Sequence, residues 1–167
     1  MNGHFEIERR YLIRYPDIEK LNKIASNTRI EQTYLLKEDG WNTNRIRMRG
    51  ADAKYTYTHT RKKRLSELTR LEDEHEISLE EYTRLLKQAD PSRNVIRKNR
   101  YCLEHKGKLF EIDVFDFWRD RAIMEIELGS EGEEFELPPD IEIVREISAD
   151  KRYSNSSLAR EIPEELI

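Results

Sequence analysis

The sequence predicts a mainly β domain with a few covering helices, and three observations support this class. Hydrophobic and polar residues alternate with a period of two in at least seven segments, as expected for half-buried strands. Helical spacing is limited to three short segments. The 167 residues are about the size of one domain and contain no internal repeat or low-complexity segment. We therefore expect a single domain that covers residues 1–167.

The predicted strands follow one another along most of the chain, and most place ionisable side chains on one face. In the first strand, for example, Glu6, Glu8 and Arg10 share a face. The Pro138-Pro139 pair predicts an extended entry into a last strand, IEIVREI at residues 141–147. The segments before it that show the alternation are FEIERRYLI (5–13), RIRMR (45–49), KYTYTHT (54–60), RLEDEHEIS (70–78), NVIRKNRY (94–101), KLFEIDVFDF (108–117) and AIMEIEL (122–128).

The predicted helices are short and serve as covers. Residues 17–25 carry apolar side chains at helical spacing, which predicts a first helix. Ser78 and Glu81 form the capping box of a second helix, which ends at Asp90-Pro91. A third short helix is expected near Ser156-Ser157, with the following leucine directed inward.

The composition is that of a soluble protein. Charged residues make up 38% of the chain, and 30 Lys and Arg residues face 34 Asp and Glu residues, which gives a net charge of −4. No apolar run approaches the roughly 20 residues of a membrane helix, and the first ten residues lack the hydrophobic core of a secretory signal. We therefore expect a cytoplasmic protein without a membrane partner.

The cysteine and histidine content limits the kind of metal site that is possible. Cys102 is the only cysteine, so an internal disulfide is excluded. One cysteine and four scattered histidines also do not form a Cys/His zinc cluster. Any metal would be held by oxygen ligands.

Basic and acidic residues are concentrated in different parts of the chain. Residues 43–64 contain eight basic residues and one acid, whereas residues 104–146 contain fourteen acids and five basic residues. Such segments either face solvent separately, pair with each other, or jointly hold an anion and a cation. The basic run at residues 61–64 also raises nucleic-acid binding, but the overall acidity and the interleaved carboxylates argue against a nucleic-acid partner.

The charged strand faces favour a binding site inside the sheet over a solvated surface. If the sheet closes into a barrel, the charged face can line the lumen, where crowded charges must be paired. A polyanion with a divalent cation satisfies both signs, because Arg and Lys bind phosphate oxygens and carboxylates hold Mg²⁺ or Mn²⁺. The pairs Glu6-x-Glu8 and Glu125-x-Glu127, with Asp113 on a further strand, indicate a carboxylate metal site.

Short motifs in a characteristic order give the chain a family resemblance. They are EIERRYLI (6–13), QTYL (32–35), RMR (47–49), RLEDE (70–74), IRKNRY (96–101), FEIDVF (110–115), EIE (125–127) and RYSNSSLA (152–159). In this order they span nearly the whole chain, and the sequence resembles the CYTH group of triphosphate tunnel metalloenzymes. The resemblance implies a closed antiparallel barrel of about eight strands that forms a polar tunnel for triphosphate.

The resemblance also implies roles for individual residues. The divalent cation, Mg²⁺ or Mn²⁺, would be bound by Glu6, Glu8, Glu125 and Glu127, with Asp113 close by. Phosphate oxygens would be bound by Arg10, Arg47, Arg49, Arg70, Lys98 and Arg100, with Glu72 and Glu74 lining the same tunnel. The residues expected to take part in the reaction itself are Glu6, Glu8, Arg10, Tyr34 and Glu127.

Two positions depart from the family pattern. Arg10 stands where the family signature has a lysine, and an arginine stays protonated and does not act as a base. The segment Thr58-His59-Thr60 stands where the family has Thr-x-Lys, so no lysine is present there. Lys62 lies two residues further on the same face and is the residue expected to supply that charge.

These features favour a metal-dependent phosphohydrolase that cleaves the terminal phosphate of a linear triphosphate, with inorganic tripolyphosphate as the favoured substrate. Thiamine triphosphate and nucleoside triphosphates are the other ligands of this class. A class IV adenylate cyclase, which forms cyclic AMP and pyrophosphate from ATP, is one alternative. A noncatalytic triphosphate sensor is another, and the two departures support it, whereas the four paired glutamates oppose it. We expect a monomer or a homodimer.

Overall fold

The structure, a computed structural model, describes residues 3–167, and within this range nine strands and three short α-helices are formed. Single 3-10 turns follow the second helix (Leu86–Gln88) and precede the third (Lys151–Tyr153). The α-helices are α1 (Ile18–Ile24), α2 (Leu79–Leu85) and α3 (Asn155–Leu158). The strands are β1 (Gly3–Arg14), β2 (Ser26–Tyr34), β3 (Thr43–Ala51), β4 (Lys54–Arg64), β5 (Thr69–Ile77), β6 (Ile96–His105), β7 (Lys108–Phe115), β8 (Arg121–Glu127) and β9 (Ile143–Glu146).

Eight of the strands form a closed antiparallel barrel, in the order β1-β5-β4-β3-β2-β6-β7-β8 and back to β1. Strand β1 closes the barrel because it pairs with two strands in succession. Residues 3–7 pair with β5, and residues 8–14 pair with β8. Strand β9 pairs with β1 at residues 11–13, beyond the part that contacts β5. The prediction of a closed antiparallel barrel of about eight strands with a few helices is confirmed.

The outer face of the barrel carries the apolar side chains that the period of two predicts. On β1, β6, β7 and β8, this face forms a core with Leu21 of α1 and with Phe135 and Ile141 of the segment after β8. On β3, a smaller core around Ile46 is covered by α2. Burial of these faces directs the alternate, charged side chains into the lumen.

One end of the lumen is filled by apolar side chains. Toward this end, the inward faces of several strands change from charged to apolar, as at Leu12 of β1, Phe115 of β7 and Ile123 of β8. These side chains pack against Tyr153 and Leu158 of the C-terminal segment, which are fully or almost fully buried. The C-terminal segment therefore closes this end, and the charged part of the lumen lies toward the other end.

The observed elements match most of the predicted ones. The first helix is capped by Asp17 and the second by Ser78, as their sequences indicate. The third helix begins at Asn155 and buries Leu158. The last strand is shorter than predicted, and β2 lies outside the segments that showed alternation. None of the described helices has the length and apolarity needed to cross a lipid bilayer.

Candidate functional site

A charged cavity of about 210 Å³ lies inside the barrel. It is lined by ionisable side chains and one amide, and the described residues of its lining include no aliphatic or aromatic side chain. A phosphate-sized anion or a hydrated cation suits such a lining better than an apolar ligand does. The lining residues are Glu6, Glu8, Arg45, Arg47, Arg49, Lys62, Glu72, Glu74, Lys98, Arg100, Glu111, Glu125, Glu127 and Asn155.

The strand order divides the cavity into two walls of opposite charge. All lining carboxylates come from β7, β8, β1 and β5, which are neighbours in the barrel. All lining cations come from β4, β3 and β6, which with β2 form the other half. The cavity-lining residues of the basic segment (43–64) and of the acidic segment (104–146) therefore lie on different walls.

On the acidic wall, the register brings carboxylates of neighbouring strands side by side. Glu8 of β1 lies opposite Glu127 of β8, and Glu125 of β8 lies opposite Glu111 of β7. Burial raises the pKa of Glu127, and the nearby Glu6 and Glu111 raise it further. Burial also raises the pKa of Glu111, with Arg100 opposing and Glu125 adding to the shift. These directions are those of carboxylates that are partly removed from water and held near other carboxylates.

Where β1 pairs with β5, a histidine lies close to two of the glutamates. His4, Glu6 and Glu72 each bring one possible ligand atom to within 4.8 Å of the others. The Lys62 ammonium lies between the two carboxylates, where Nζ donates to Glu6 Oε1 at 3.1 Å and lies 3.3 Å from Glu72 Oε2. Burial alone would lower the pKa of Lys62, but Glu6 and Glu8 raise it overall.

The basic wall holds guanidinium groups that the protein satisfies only in part. Arg47 lies 3.5 Å from Glu74 through Nη2, and its buried Nε has no partner among the described residues. Burial lowers the pKa of Arg47 to about 10, and the neighbouring Arg45 and Arg100 add to this effect. The buried Nε of Arg45 is also without a described partner. Both residues line the cavity, where a bound anion would supply negative charge that this wall lacks.

At the inner end of the cavity, two cations are fixed by one buried carboxylate. Asp113 accepts hydrogen bonds from Lys98 Nζ at 2.7 Å and from Arg100 Nε and Nη2 at 2.7 and 2.9 Å. These partners hold the pKa of Asp113 well below its usual range, although burial opposes the shift. Burial lowers the pKa of Lys98 to about 8 despite this pairing. Asn155 of α3 accepts a further hydrogen bond from Lys98 at 3.1 Å.

Four of the sequence-predicted site residues lie outside the cavity lining. Arg10 is buried and donates from Nε to Glu125 Oε1 at 3.0 Å. Arg70 Nη1 donates to Glu8 Oε1 at 3.4 Å. Tyr34 packs in the apolar cluster at the closed end. Both oxygens of Asp113 are engaged as described above. The other predicted residues line the cavity together: Glu6, Glu8, Arg47, Arg49, Lys62, Glu72, Glu74, Lys98, Arg100, Glu125 and Glu127.

Three lining residues were not among the predicted site residues. Arg45 shares a strand face with Arg47, so the alternation in RIRMR carried the signal. Glu111 shares a strand face with Asp113 in the same way. Asn155 reaches the cavity from a helix at the closed end, and strand periodicity gives no signal for it.

Comparisons with known proteins agree with this architecture. No family model and no curated protein matches the chain. The structure of the inorganic triphosphatase NE1496 is similar with 30% sequence identity and a TM-score of 0.60, covering 95% of this chain and 96% of that chain.

More distant solved structures share the fold. HpAC1 from Hippeastrum, described with a dominant triphosphatase activity, is 17% identical with a TM-score of 0.53, covering 74% of this chain and 80% of that chain. PH1819 from Pyrococcus horikoshii is 20% identical with a TM-score of 0.54, covering 76% and 80% of the two chains. The same kind of barrel therefore occurs well beyond sequences of recognisable similarity.

Proposed function

Because the chain belongs to the CYTH group of triphosphate tunnel metalloenzymes, we propose that it is a divalent-metal-dependent phosphohydrolase. It cleaves the terminal phosphate of a linear triphosphate, and inorganic tripolyphosphate is its preferred substrate. The observation that carries this proposal is the division of one cavity into an acidic and a basic wall. A triphosphate bound to a metal ion presents both signs of charge and matches both walls.

The acidic wall supplies ligands of the right chemistry for Mg²⁺ or Mn²⁺. We assign Glu6, Glu8, Glu125 and Glu127 as the metal ligands. Desolvation raises the pKa of Glu127 first and the nearby Glu6 and Glu111 raise it further, and a divalent cation would offset this second effect. Bound there, the metal would neutralise charge on the phosphate oxygens as the terminal phosphate is transferred to water. Asp113 does not fit this set, because Lys98 and Arg100 occupy both of its oxygens. We assign it the positioning of these two cations.

The basic wall binds and orients the triphosphate. Arg45 and Arg47 line the cavity and would bind the phosphate chain, since a guanidinium fork suits two oxygens at once. Arg49, Lys62, Lys98 and Arg100 add charge along the cavity. Fixed cations that stabilise charge in the transition state are the main source of rate enhancement in phosphoryl transfer.

The positions of Arg10 and Tyr34 favour supporting roles. Arg10 is a permanent cation and holds Glu125 in place, so it supports a metal ligand and does not accept a proton. Tyr34 packs under the Arg93 guanidinium, 5.1 Å from the ring centre, within the apolar closed end. We therefore assign Tyr34 to the packing of the closed end. The carboxylates of the acidic wall would hold a metal ion, which would supply Lewis-acid chemistry at the phosphate.

The size and lining of the cavity favour tripolyphosphate over larger substrates. About 210 Å³ of space with a wholly polar lining accommodates a phosphate chain and its counter-ions. A nucleoside or thiazolium ring would find no apolar surface within it and would have to stay outside. Thiamine triphosphate and ATP are therefore expected to be poorer substrates.

Phosphate release tests the proposal directly. Tripolyphosphate, thiamine triphosphate and ATP are each incubated with Mg²⁺, Mn²⁺ or EDTA, and cyclic AMP is assayed in the ATP reactions. We expect metal-dependent release that is greatest with tripolyphosphate and is lost in Glu127→Gln. Glu134→Gln, which makes the same charge change at an exposed position, is the matched control. Binding without turnover would instead indicate a sensor, and cyclic AMP would indicate a cyclase.

A further inference from the structure

Several cations assigned to phosphate are paired with carboxylates assigned to the metal. Lys62 contacts Glu6 at 3.1 Å, and Arg70 contacts Glu8 at 3.4 Å. Each of these cations contacts Oε1 of a carboxylate that the proposed metal site would use. The cation and the metal ion are therefore not independent, because both draw on the charge of the same carboxylate and repel each other.

Lys62 is the cation best placed to leave its partners. Its hydrogen-bonding and ionic contacts in the structure are with Glu6 and Glu72, which both line the cavity. Its side chain is 22% exposed, and its four-carbon stem is flexible. Lys98, in contrast, is held by Asp113 and Asn155, which are not among the proposed metal ligands. A metal ion on the acidic wall would therefore leave the contacts of Lys98 unchanged.

We propose that Lys62 is an internal counter-ion that occupies Glu6 and Glu72 until a divalent cation binds, and that it then turns to the triphosphate. This inference rests on the proposed function, since it takes Glu6 as a metal ligand. A divalent ion attracts a carboxylate more strongly than an ammonium does at the same distance, so the exchange favours the metal. The released ammonium remains inside the cavity, where phosphate oxygens are its nearest alternative partners.

The exchange makes metal and triphosphate binding cooperative. Without metal, Lys62 neutralises Glu6 and contributes little to anion binding. With metal bound, the same ammonium is free to bind phosphate. Linkage then requires that the triphosphate strengthens metal binding by the same factor. Lys62 lies two residues beyond the position where the family has its Thr-x-Lys lysine. In this proposal it does more than replace the charge of that lysine, because it also links metal binding to triphosphate binding.

The experiment measures Mn²⁺ binding without any phosphate, by the electron paramagnetic resonance signal of free Mn²⁺ at pH 7.5. Wild type is compared with Lys62→Met and with Lys62→Gln. The second variant keeps a polar side chain and provides the same test if Lys62→Met folds poorly. Because the competing cation is removed, we expect Mn²⁺ to bind about tenfold more tightly to both variants. Lys63→Met is the matched control, since Lys63 is exposed on the outer face beside it, and its Mn²⁺ affinity should equal that of wild type.

A second measurement tests whether metal binding strengthens triphosphate binding through Lys62. The imido analogue of tripolyphosphate is titrated calorimetrically with Mn²⁺ or with EDTA. Lys62→Met should weaken analogue binding about tenfold with Mn²⁺ but have little effect in EDTA. Equal Mn²⁺ affinities of wild type and both variants would overturn the counter-ion role. Failure of wild type and of the variants to bind Mn²⁺ would instead overturn the proposed metal site.

Discussion

The Lys98 ammonium lies 2.7 Å from the Asp113 carboxylate, and both side chains are only 1% exposed. This ion pair joins β6 to β7 at the inner end of the charged cavity. Arg100 shares the same carboxylate, so one acid is paired with two cations of the basic wall. Buried charge of this kind is tolerated only while every partner is present.

Replacement of Asp113 by asparagine should therefore destabilise the barrel. The variant leaves Lys98 buried with a neutral partner and leaves Arg100 with Glu111, at 2.9 Å, as its remaining close carboxylate. We expect a loss of about 3–5 kcal/mol in the free energy of unfolding. Urea denaturation measures this loss. Asp116→Asn breaks an exposed pair with Arg29 and should cost less than about 1 kcal/mol. Equal stability of the Asp113 variant and wild type would show that the buried pair contributes little.

The low pKa of Lys98 predicts how kcat/KM depends on pH. Its folded pKa of about 8 lies below the ordinary 10.5, so the ammonium loses its proton, and with it a phosphate contact, as the pH rises above about 8. We expect kcat/KM for tripolyphosphate to fall over this range in wild type. Lys98→Arg keeps its charge and should retain a flat profile to higher pH. Identical profiles of the two proteins would count against a titrating Lys98.

Arg47 is predicted to bind phosphate because it lines the cavity and is held only by a long contact of 3.5 Å with Glu74. Arg47→Met removes this contact and should raise KM for tripolyphosphate at least about tenfold, since hydrogen bonds to charged groups contribute about 1.5–3 kcal/mol. Arg97→Met is the control, because Arg97 is exposed and pairs with Glu31 across β6 and β2. Steady-state kinetics with both variants make the comparison. An unchanged KM in Arg47→Met would remove this residue from the substrate site.

Arg10→Lys restores the residue type of the family signature and distinguishes a structural role from a proton-transfer role. Because Arg10 supports Glu125 through an ion pair of 3.0 Å, lysine should preserve kcat to within about threefold. Arg10→Met should lower kcat about tenfold or more by leaving Glu125 without its partner. A large rise in kcat for Arg10→Lys, with a new dependence on pH, would indicate that a basic lysine is useful at this position.

The strand pattern was predictable wherever one face is apolar and the other is charged. Strands β1, β3 and β8 have this pattern, because their outer faces are buried under helices or loops. Strand β2 does not, because Arg29 and Glu31 lie on its outer face while Gln32 points inward beside Ile30, so polar residues occupy both faces. A hydrophobic period of two is therefore absent, although residues 29–34 pair with β3 and residues 26–32 pair with β6.

The charged residues of the cavity were also largely predictable, but their pairing was not. Alternation places Asp113 on the lumen face, and this placement is equally consistent with a metal ligand and with an ion-pair partner. Only the register, which sets Arg100 opposite Asp113, distinguishes the two. The position of Asn155 depends on where the C-terminal segment packs, and this is decided by the burial of Tyr153 and Leu158 in the end of the barrel. The local sequence around Asn155 therefore does not predict that its side chain reaches the cavity.

The dual pairing of β1 constrains the way in which the chain reaches its native state. Glu8 and Glu127 are register partners, although more than a hundred residues separate them along the chain. Contacts of such high sequence separation form late and slow folding, because the intervening loop must lose its entropy first. During synthesis, β1 emerges long before its partner β8 does. The acidic wall is thus assembled only after nearly the whole chain has been made, so fragments that end before β8 are expected to lack the divalent-cation site.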